Sequence, residues 1–440
     1  MRGWTPERVA EAAGADLLRG GPSEGPARAV IDSRSAGPRD LFVGLPGTRA
    51  DGGSFAGQVL ADGAWGVLVG PEWGEGALPG DGAILRAADP LLALHALARA
   101  WRRELGAAVI GVTGSVGKTS TKDLIAAMVG PHRSVAASRE NFNTEIGLPL
   151  ELLAAPPGTE VLVLELAMRG AGQIAELTAI CEPDVGVITN IGPVHLQQLG
   201  SLEGIARAKG ELLEGMRDGA TAIVPHREPL LAPLLRDALE IVTFGGPDAD
   251  VVWEESARVV RAGEDRYELE LPFRSGPQLT NALAAVAAAR AVGVSPGGRI
   301  DVALSPLRGQ RVTVPGGVVV INDCYNASPP SMRAALDELA AEVPAGRRVA
   351  VLGDMLELGD QETALHREIG AYARDAGVEL LVTVGPRAAA MLDEFDGESH
   401  AVADADEAAA LAGELLADGD LVLVKASNGV ELWRVAEALA

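Results

Sequence analysis

The feature that most constrains the fold is a series of short, nearly continuous apolar segments separated by helix-like stretches. From residue 107 onward, five such segments follow one another, at residues 107–112, 161–166, 185–189, 221–224 and 241–244. Strands with apolar side chains on both faces are typical of parallel sheets covered by helices on both sides. The sequence therefore predicts a doubly wound, mostly parallel α/β domain in the middle of the chain.

Shorter strands are predicted on either side of this region. The first hundred residues alternate Gly, Pro and Asp turns with apolar runs at residues 29–32, 40–45, 66–69 and 83–86, and they lead into a helical stretch at 90–105. A Gly/Pro-rich passage precedes a second series of buried strands, at residues 318–322, 349–353, 380–385 and 421–426. A chain of 440 residues is too long to fold around a single hydrophobic core. We therefore predict a small N-terminal α/β domain (1–100), the central domain (101–308) and a C-terminal Rossmann-like α/β domain (309–440).

Charge and cysteine content argue against several classes of function. The formal net charge of −24 would repel a nucleic acid from most of the surface, whereas a few cations in one cleft can still bind a nucleotide. The chain starts with Thr5 and Pro6 at the positions of a helix cap and first turn, not with the apolar core of a signal peptide, and its apolar runs are too short to span a membrane. Two cysteines, Cys181 and Cys324, do not make a disulfide framework, so we predict a cytoplasmic protein.

Lysine and asparagine are scarce, which draws attention to those that remain. Four of the 37 basic residues are lysine: Lys118, Lys122, Lys209 and Lys425. Arginine can supply a plain positive charge but does not lose its proton in a protein. A retained lysine is therefore a candidate for chemistry that needs an amine. The seven asparagines likewise fall almost entirely within the motifs described below.

A strand, a glycine turn and a helix start follow one another at residues 109–120. Gly114 and Gly117 let backbone N–H groups turn toward an anion, Lys118 can reach terminal phosphates, and the Thr119 hydroxyl can bind Mg²⁺. Two residues separate the glycines, where the usual P-loop has four. The alternative, an ordinary glycine-rich turn, accounts less well for Gly-Lys-Thr after a buried strand. The segment predicts ATP binding but does not indicate what ATP is used for.

Three further residues are candidates for a metal site beside this loop. Glu165 ends one predicted strand and His195 follows the next, so both are expected at the edge where parallel strands bind ligands. Lys209 lies on a predicted helix at residues 202–216, where its amine could add to CO₂ and form a carbamate. Together these groups would supply oxygen and nitrogen ligands for Mg²⁺. Each residue alone also fits a plainer role, as a strand-end cap, a structural histidine or a solvated lysine.

The order of these motifs resembles the Mur ligase family over almost the whole chain. The resemblance rests on the short phosphate loop, Glu165, Lys209 and blocks at residues 141–149, 190–201, 322–332 and 352–366. It implies ATP-dependent amide-bond formation, in which a carboxylate is activated as an acyl phosphate and an amine then displaces phosphate. The last two blocks resemble the members that add D-alanyl-D-alanine to a UDP-N-acetylmuramoyl tripeptide. The Asp-Asn-Pro-Arg signature of the members that add the third residue does not occur in the sequence.

The resemblance also implies roles for individual residues. Ser33 and Arg34 would bind the UDP end of the substrate. Lys118, His195 and a carbamylated Lys209 would be the catalytic residues. The ligands of two Mg²⁺ ions would be Thr119, Glu165, His195 and Lys209. The implied ATP-binding residues are Thr113, Gly114, Ser115, Val116, Gly117, Lys118, Thr119, Ser120, Asn141, Asn281, Asp323 and Asn326, and Asn326 and Ser331 would also face the substrate. For Asp354, Glu357 and His366, a role beside the dipeptide and a plain structural role both stay open.

Three departures from the family pattern leave alternatives open. Pro277-Gln278 stands where a His-Asn pair is usual, Asn428 ends the Lys-Gly-Ser-Arg pattern, and residues 307–311 offer both Arg308 and Arg311 for one arginine role. A Mur paralogue acting on another cell-wall precursor, or a folylpolyglutamate-synthetase-like ligase, would use the same chemistry. A P-loop regulator would bind nucleotide without forming an amide bond. A monomer is expected, and the sequence does not determine the third residue of the tripeptide.

Overall fold

Three β-sheets, each packed against helices, follow one another along the chain. The computed structural model describes residues 1, 3–48, 50–73, 78–139, 141–254, 258–273, 277–302, 305 and 307–439. Among these residues the sheets have five, ten and six strands. The three-part α/β architecture confirms the predicted fold class.

The N-terminal sheet is built from short strands. They are β1 (Asp16–Arg19), β2 (Arg28–Val30), β3 (Asp40–Val43), β4 (Gly66–Val69) and β5 (Ala83–Arg86), and the helices are α1 (Pro6–Ala13), α2 (Ala56–Ala61) and α3 (Pro90–Leu105). The strand order is β1-β5-β4-β3-β2, with β1 antiparallel to β5 and the other pairs parallel. Helix α1 begins as predicted, because the Thr5 hydroxyl accepts a hydrogen bond from the backbone N–H of Arg8.

The central sheet carries the phosphate loop. Its strands are β6 (Ala108–Thr113), β7 (Val135–Ala137), β8 (Val161–Glu165), β9 (Val185–Ile188), β10 (Thr221–Pro225), β11 (Glu240–Phe244), β12 (Val251–Glu254), β13 (Val259–Ala262), β14 (Asp265–Glu270) and β15 (Gly298–Arg299). Its helices are α4 (Lys118–Val129), α5 (Gly147–Ala154), α6 (Gln173–Cys181), α7 (Leu196–Leu199), α8 (Leu202–Gly215) and α9 (Pro277–Ala291). The strand order is β15-β14-β13-β12-β11-β10-β9-β6-β8-β7. Strands β6 to β11 are parallel, and β12 to β14 form an antiparallel extension.

Strand β6 shows why the predicted strands are apolar along their whole length. Val109 belongs to the core that includes Leu212 of α8, whereas Ile110 belongs to the core on the other face, which includes Ile125 of α4. Successive side chains of a strand point to opposite faces, so a sheet covered on both sides needs apolar residues at every position. Each such side chain stabilises the fold by about 1.5–3 kcal/mol when it is fully buried.

The C-terminal sheet has the predicted Rossmann-like arrangement. Its strands are β16 (Gln310–Thr313), β17 (Val319–Asn322), β18 (Arg348–Gly353), β19 (Leu380–Val384), β20 (Glu398–Val402) and β21 (Leu421–Lys425), and its helices are α10 (Pro329–Ala340), α11 (Glu362–Asp375), α12 (Ala405–Leu415) and α13 (Trp433–Leu439). The order is β16-β17-β21-β18-β19-β20, in which all pairs are parallel except β16 with β17.

Helix α3 connects the first sheet to the second. It spans residue 100, the predicted end of the first domain, and its Trp101 packs edge-on against Trp4 with ring centroids 5.5 Å apart. The Trp101 indole N–H donates to the carbonyl oxygen of Ala155 in the central part of the chain at 3.1 Å. Within the described residues, no helix combines the length and the hydropathy needed to cross a membrane.

Candidate active site

The phosphate loop joins β6 to α4 and depends on two glycines with unusual backbone angles. Gly114 has φ 151° and Gly117 has φ 81°. A Cβ atom at Gly114 would lie 1.9 Å from the Thr189 hydroxyl oxygen, and one at Gly117 would lie 2.5 Å from the Asn281 amide oxygen. Side chains are therefore excluded at both positions by conformation and by space. The loop leads directly into α4 at Lys118, so the N–H groups at the start of this helix are available to an anion.

The segment after β9 holds this loop in place. The Asn190 side chain accepts a hydrogen bond from the N–H of Val116 and donates to its carbonyl oxygen, both at 3.0 Å. The Thr189 hydroxyl donates to the same carbonyl at 2.6 Å, and the Ser115 hydroxyl donates to the carbonyl of Gly192 at 2.9 Å. The segment after β9 thus braces both residues between the glycines. The sequence placed Asn190 in a motif but did not predict this bracing role.

Two lysines converge behind the loop. The Nζ atoms of Lys118 and Lys209 both donate to the carbonyl oxygen of Gly114, at 3.0 and 2.9 Å. Burial lowers the pKa of Lys118, an effect that nearby Glu165 opposes. Burial and, second, the charge of Lys118 hold the pKa of Lys209 well below its ordinary 10.5. Relative to an exposed lysine, both effects shift Lys209 toward its neutral amine, the form that can act as a nucleophile.

Glu165, at the end of β8, lies beside the loop as predicted. Its Oε2 accepts a hydrogen bond from the Thr119 hydroxyl at 2.6 Å, and its Oε1 accepts one from the Asn143 amide at 2.9 Å. Its backbone N–H donates to the Ser138 hydroxyl at 2.8 Å. Thr119 and Glu165 are each 2% exposed. A hydroxyl and a carboxylate held this close are oxygen donors of the kind that Mg²⁺ prefers.

His195 faces a carboxylate from the C-terminal part of the chain. Its Nδ1 lies 2.5 Å from Oε2 of Glu357. Burial lowers the pKa of His195, and Glu357 partly opposes this effect. In the part of the chain that the structure describes, no three His, Cys, Asp or Glu side chains cluster closely enough to hold a metal ion. A metal shared by Glu165 and His195 therefore also needs the Thr119 hydroxyl and a modified Lys209, and this ligand set stays a prediction.

The opposite wall of the cleft comes from the C-terminal domain. The Lys425 ammonium donates to the Asp323 carboxylate at 2.5 Å and to the carbonyl oxygen of Asn326 at 2.9 Å. The Ser331 hydroxyl accepts a hydrogen bond from the backbone N–H of Ser328 at 2.9 Å and thereby caps α10. Lys425, one of the four lysines of the chain, was not among the residues predicted for the site.

The choice between the two candidate arginines is clear from their surroundings. The Arg308 guanidinium stacks 4.0 Å above the centre of the Tyr325 ring and lines the cleft. Arg311 instead forms ion pairs with Glu342 and Glu338. Arg308 is thus the one that can face a ligand.

One cleft of about 670 Å³ collects most of the predicted site residues, a volume within the usual range for ligand sites. The predicted residues that line it are Ser115, Val116, Gly117, Lys118, Thr119, Ser120, Asn141, Glu165, His195, Lys209, Asn281, Asp323, Asn326 and Ser331. Thr113 ends β6 and Gly114 follows it, so both lie next to these residues in the chain. Ser33 and Arg34 do not line this cleft: they lie in a turn after β2, where the exposed Arg34 side chain hydrogen-bonds to Asp32.

Most of the few lysines and asparagines of the chain line this cleft. Six of the seven asparagines line it, as do three of the four lysines. The fourth lysine, Lys122, is buried behind it and donates to the carbonyl oxygen of Ser138 at 2.8 Å. Gln278 and Asn428, two of the departures from the family pattern, also line the cleft, and Gln278 accepts a hydrogen bond from Asn281 at 3.3 Å.

Asp354 and His366, two residues with open roles, form hydrogen bonds within the C-terminal domain. The Asp354 carboxylate accepts hydrogen bonds from the backbone N–H groups of Arg387 and Ala388, at 3.0 and 2.7 Å. His366 is fully buried, and its Nε2 accepts a hydrogen bond from the N–H of Met355 at 3.0 Å. Glu357, the third of this group, lines the cleft.

Similarity to known proteins agrees with this geometry. Residues 112–289 match the Mur ligase middle domain, and residues 307–428 match the Mur ligase glutamate ligase domain. A UDP-N-acetylmuramoyl-tripeptide–D-alanyl-D-alanine ligase from Bacillus subtilis (strain 168) is 36% identical over 430 residues, which cover 93% of this chain and 92% of that protein. The chain belongs to the Mur ligase family. The resemblance seen in the motifs is thereby confirmed.

Solved structures extend the similarity of this Mur ligase to the fold of the whole chain. A crystal structure of MurF from Acinetobacter baumannii superposes with a TM-score of 0.87 and 29% identity, covering 99% of this chain and 98% of that one. MurF ligase from Thermotoga maritima in complex with ADP superposes with a TM-score of 0.80 and 28% identity, covering 94% of this chain and 96% of that one. All three domains of the fold, including the N-terminal one, thus have counterparts in these proteins.

Proposed function

We propose that this Mur ligase uses ATP to join D-alanyl-D-alanine to a UDP-N-acetylmuramoyl tripeptide in peptidoglycan precursor synthesis. One observation carries the proposal: a single cleft in which the phosphate loop, Glu165 and Lys209 of the central domain face the C-terminal domain. The tripeptide–D-alanyl-D-alanine ligase that matches over more than nine tenths of both chains supports the choice of substrates.

The reaction has two steps that the cleft can support. A carboxylate oxygen of the tripeptide attacks the γ-phosphorus of ATP, the bond to the β,γ-bridging oxygen breaks, and ADP leaves. The dipeptide nitrogen then attacks the carbonyl carbon of the acyl phosphate, the C–O bond breaks, phosphate leaves, and the nitrogen loses a proton. Lys118 and the N–H groups at the start of α4 offset negative charge on the phosphates.

Thr119 and Glu165 fit a Mg²⁺ ion. Their side-chain oxygens are already fixed 2.6 Å apart beside the phosphate loop. When bound, Mg²⁺ offsets charge on the transferring phosphoryl group. We assign His195 and a carbamylated Lys209 to the same metal centre, which would hold two Mg²⁺ ions as expected from the sequence.

Lys209 is suited to carbamylation by its surroundings. Its lowered pKa favours the neutral amine, which can attack the carbon of CO₂ and lose a proton to give a carbamate anion. The carbamate would carry a negative charge beside Lys118, so the two side chains would attract each other. Carbamylation would also provide the oxygen ligands that the unmodified amine lacks.

The remaining substrate contacts are assigned by position. Ser33 and Arg34 lie on the N-terminal domain, away from the cleft, and we assign them to the UDP end of the long substrate. Asn326 and Ser331 lie on the C-terminal wall, and we assign them to the dipeptide side, with Asn326 also near ATP. We further propose that the protein acts as a monomer in the cytoplasm and without a nucleic-acid partner.

Phosphate release with defined substrate pairs tests the proposal. Purified protein with MgATP should release phosphate with D-alanyl-D-alanine and the UDP-linked tripeptide together, and not with either one alone. Turnover with a single amino acid and the UDP-linked dipeptide, or with a folate, would favour a Mur paralogue or a folylpolyglutamate-synthetase-like ligase. ATP binding without amide formation from any pair would favour a P-loop regulator.

A further inference from the structure

A carboxylate of the C-terminal domain reaches across the cleft to two basic side chains of the central domain. Glu357 lies in the loop between β18 and α11, and its Oε2 is 2.5 Å from Nδ1 of His195. Its Oε1 is 3.8 Å from Nε of Arg169. Two residues further along, the short helix Gly359–Gln361 contacts α7. One loop of the C-terminal domain is thus docked on the segment that carries His195.

The side chain of Glu357 contacts another domain, whereas those of Asp354 and His366 form hydrogen bonds within their own domain. Asp354 and His366 are engaged by backbone N–H groups of their own domain, so they shape the loop. Among the described residues, the Glu357 carboxylate contacts Arg169 and His195, which both belong to the central domain. Glu357 and His195 also both have positive φ, 63° and 54°. Such conformations in residues other than glycine persist where the surrounding structure holds them, often at functional sites.

The contact determines which imidazole nitrogen is free. At 2.5 Å from a carboxylate oxygen, Nδ1 carries the proton that lies between the two atoms, and Nε2 is then the nitrogen that can bind a metal. Carboxylates that accept from the other nitrogen of a metal-binding histidine fix its tautomer and its ring orientation. Here the carboxylate and the histidine belong to different domains, so the orientation of the ring depends on how the domains meet.

We propose that Glu357 is a positioning residue that completes the metal site when the C-terminal domain closes on the central domain. The inference rests on the proposed Mg²⁺ site and adds to it a residue that touches neither substrate nor metal. Closure brings the Glu357 carboxylate to Nδ1 of His195, turns Nε2 toward the metal, and pairs the same carboxylate with Arg169. Metal affinity and domain closure are then coupled through one side chain.

The test measures metal binding without turnover. Mn²⁺ affinity is measured by electron paramagnetic resonance with a non-hydrolysable ATP analogue and no peptide substrate, for wild type, E357A and E357Q. Glu357→Ala should weaken Mn²⁺ binding about 10- to 100-fold, the usual effect of losing such a partner. Glu357→Gln should lose less, because the amide oxygen can still accept the Nδ1 proton. The matched control is Asp360→Asn, which removes an exposed carboxylate from the same loop and should leave affinity unchanged.

Domain separation provides a second readout. Spin labels on the central and C-terminal domains should report a longer mean distance in E357A than in wild type, with D360N unchanged. Mn²⁺ affinity in E357A equal to that of wild type would overturn the positioning role and leave the metal site standing. Equal losses in E357A and E357Q would also overturn it, because lost charge would then explain the effect. A wild type that binds no Mn²⁺ would overturn the proposed metal site as well.

Discussion

The hydrogen bond between Thr119 and Glu165 allows a quantitative test of the site. Thr119→Val keeps the size and branching of the side chain but removes the hydroxyl that donates to Glu165 at 2.6 Å. Both residues are 2% exposed, so water does not readily replace the lost donor. One side-chain donor to the carboxylate, the Asn143 amide, is retained.

The expected loss of stability follows from the charge of the acceptor. A hydrogen bond to a charged group contributes about 1.5–3 kcal/mol. In a domain of this size each kcal/mol shifts the melting temperature by about 2–4 °C, so Thr119→Val should lower it by about 3–12 °C. Thr119→Ser, the matched control, keeps the hydroxyl and loses one methyl group, which costs about 0.8 kcal/mol in burial. Its melting temperature should fall by less.

Calorimetry of the nucleotide-free protein measures the change in melting temperature. Titration of ATP with and without Mg²⁺ measures how much Mg²⁺ increases the affinity for ATP. Thr119→Ser should keep the gain in ATP affinity that Mg²⁺ provides, whereas Thr119→Val should lose most of it, because the hydroxyl is also a metal ligand in the proposal. A Thr119→Val protein with the wild-type melting temperature and wild-type Mg²⁺ dependence would refute the reasoning.

Three further outcomes are expected. Lys118→Ala should abolish turnover without changing the circular dichroism spectrum, because the substitution removes a charge at the phosphates and leaves the core intact. Near-normal ligase rates would show that the phosphate loop is wrongly assigned. Lys209→Arg keeps a positive charge and most of the length but cannot form a carbamate, so activity should fall by orders of magnitude; an unmodified Lys209 in the native mass spectrum of a fully active preparation, recorded at neutral pH in the presence of CO₂, would exclude carbamylation. Burial lowers the pKa of His366, so the unfolded chain takes up the proton first and stability should fall as the pH drops below about 6.5. In His366→Gln that part of the pH dependence, followed by urea denaturation, should disappear, and an unchanged slope would argue against a neutral buried His366.

The central-domain half of the cleft was predictable because it follows from local rules. A glycine turn between a buried strand and a helix places Lys118 and Thr119 at a helix start. The carboxyl ends of neighbouring parallel strands meet at one edge, which brings Glu165 to the same place. The scarcity of lysine supplied a further signal that Lys209 has a special role, and its burial agrees with that signal.

The contacts between domains could not be predicted in the same way. His195 of the central domain and Glu357 of the C-terminal domain are 162 residues apart. No periodicity or motif spacing relates such distant positions, and their contact depends on how two sheets are oriented. Two of the strands that the sequence did not predict, β14 and β20, have a different cause. β20 lies at the edge of its sheet with its residues partly in solvent, and β14 alternates exposed and buried residues, so neither has a continuous apolar run.

The most direct test of the ligase assignment follows an oxygen label. A UDP-N-acetylmuramoyl tripeptide whose terminal carboxylate carries ¹⁸O in both oxygens is incubated with MgATP, D-alanyl-D-alanine and the wild-type protein, and both products are analysed by mass spectrometry. Attack of the carboxylate on the γ-phosphorus predicts one ¹⁸O in the released phosphate and one in the new amide carbonyl. Phosphate without the label, or no UDP-linked pentapeptide, would contradict the account.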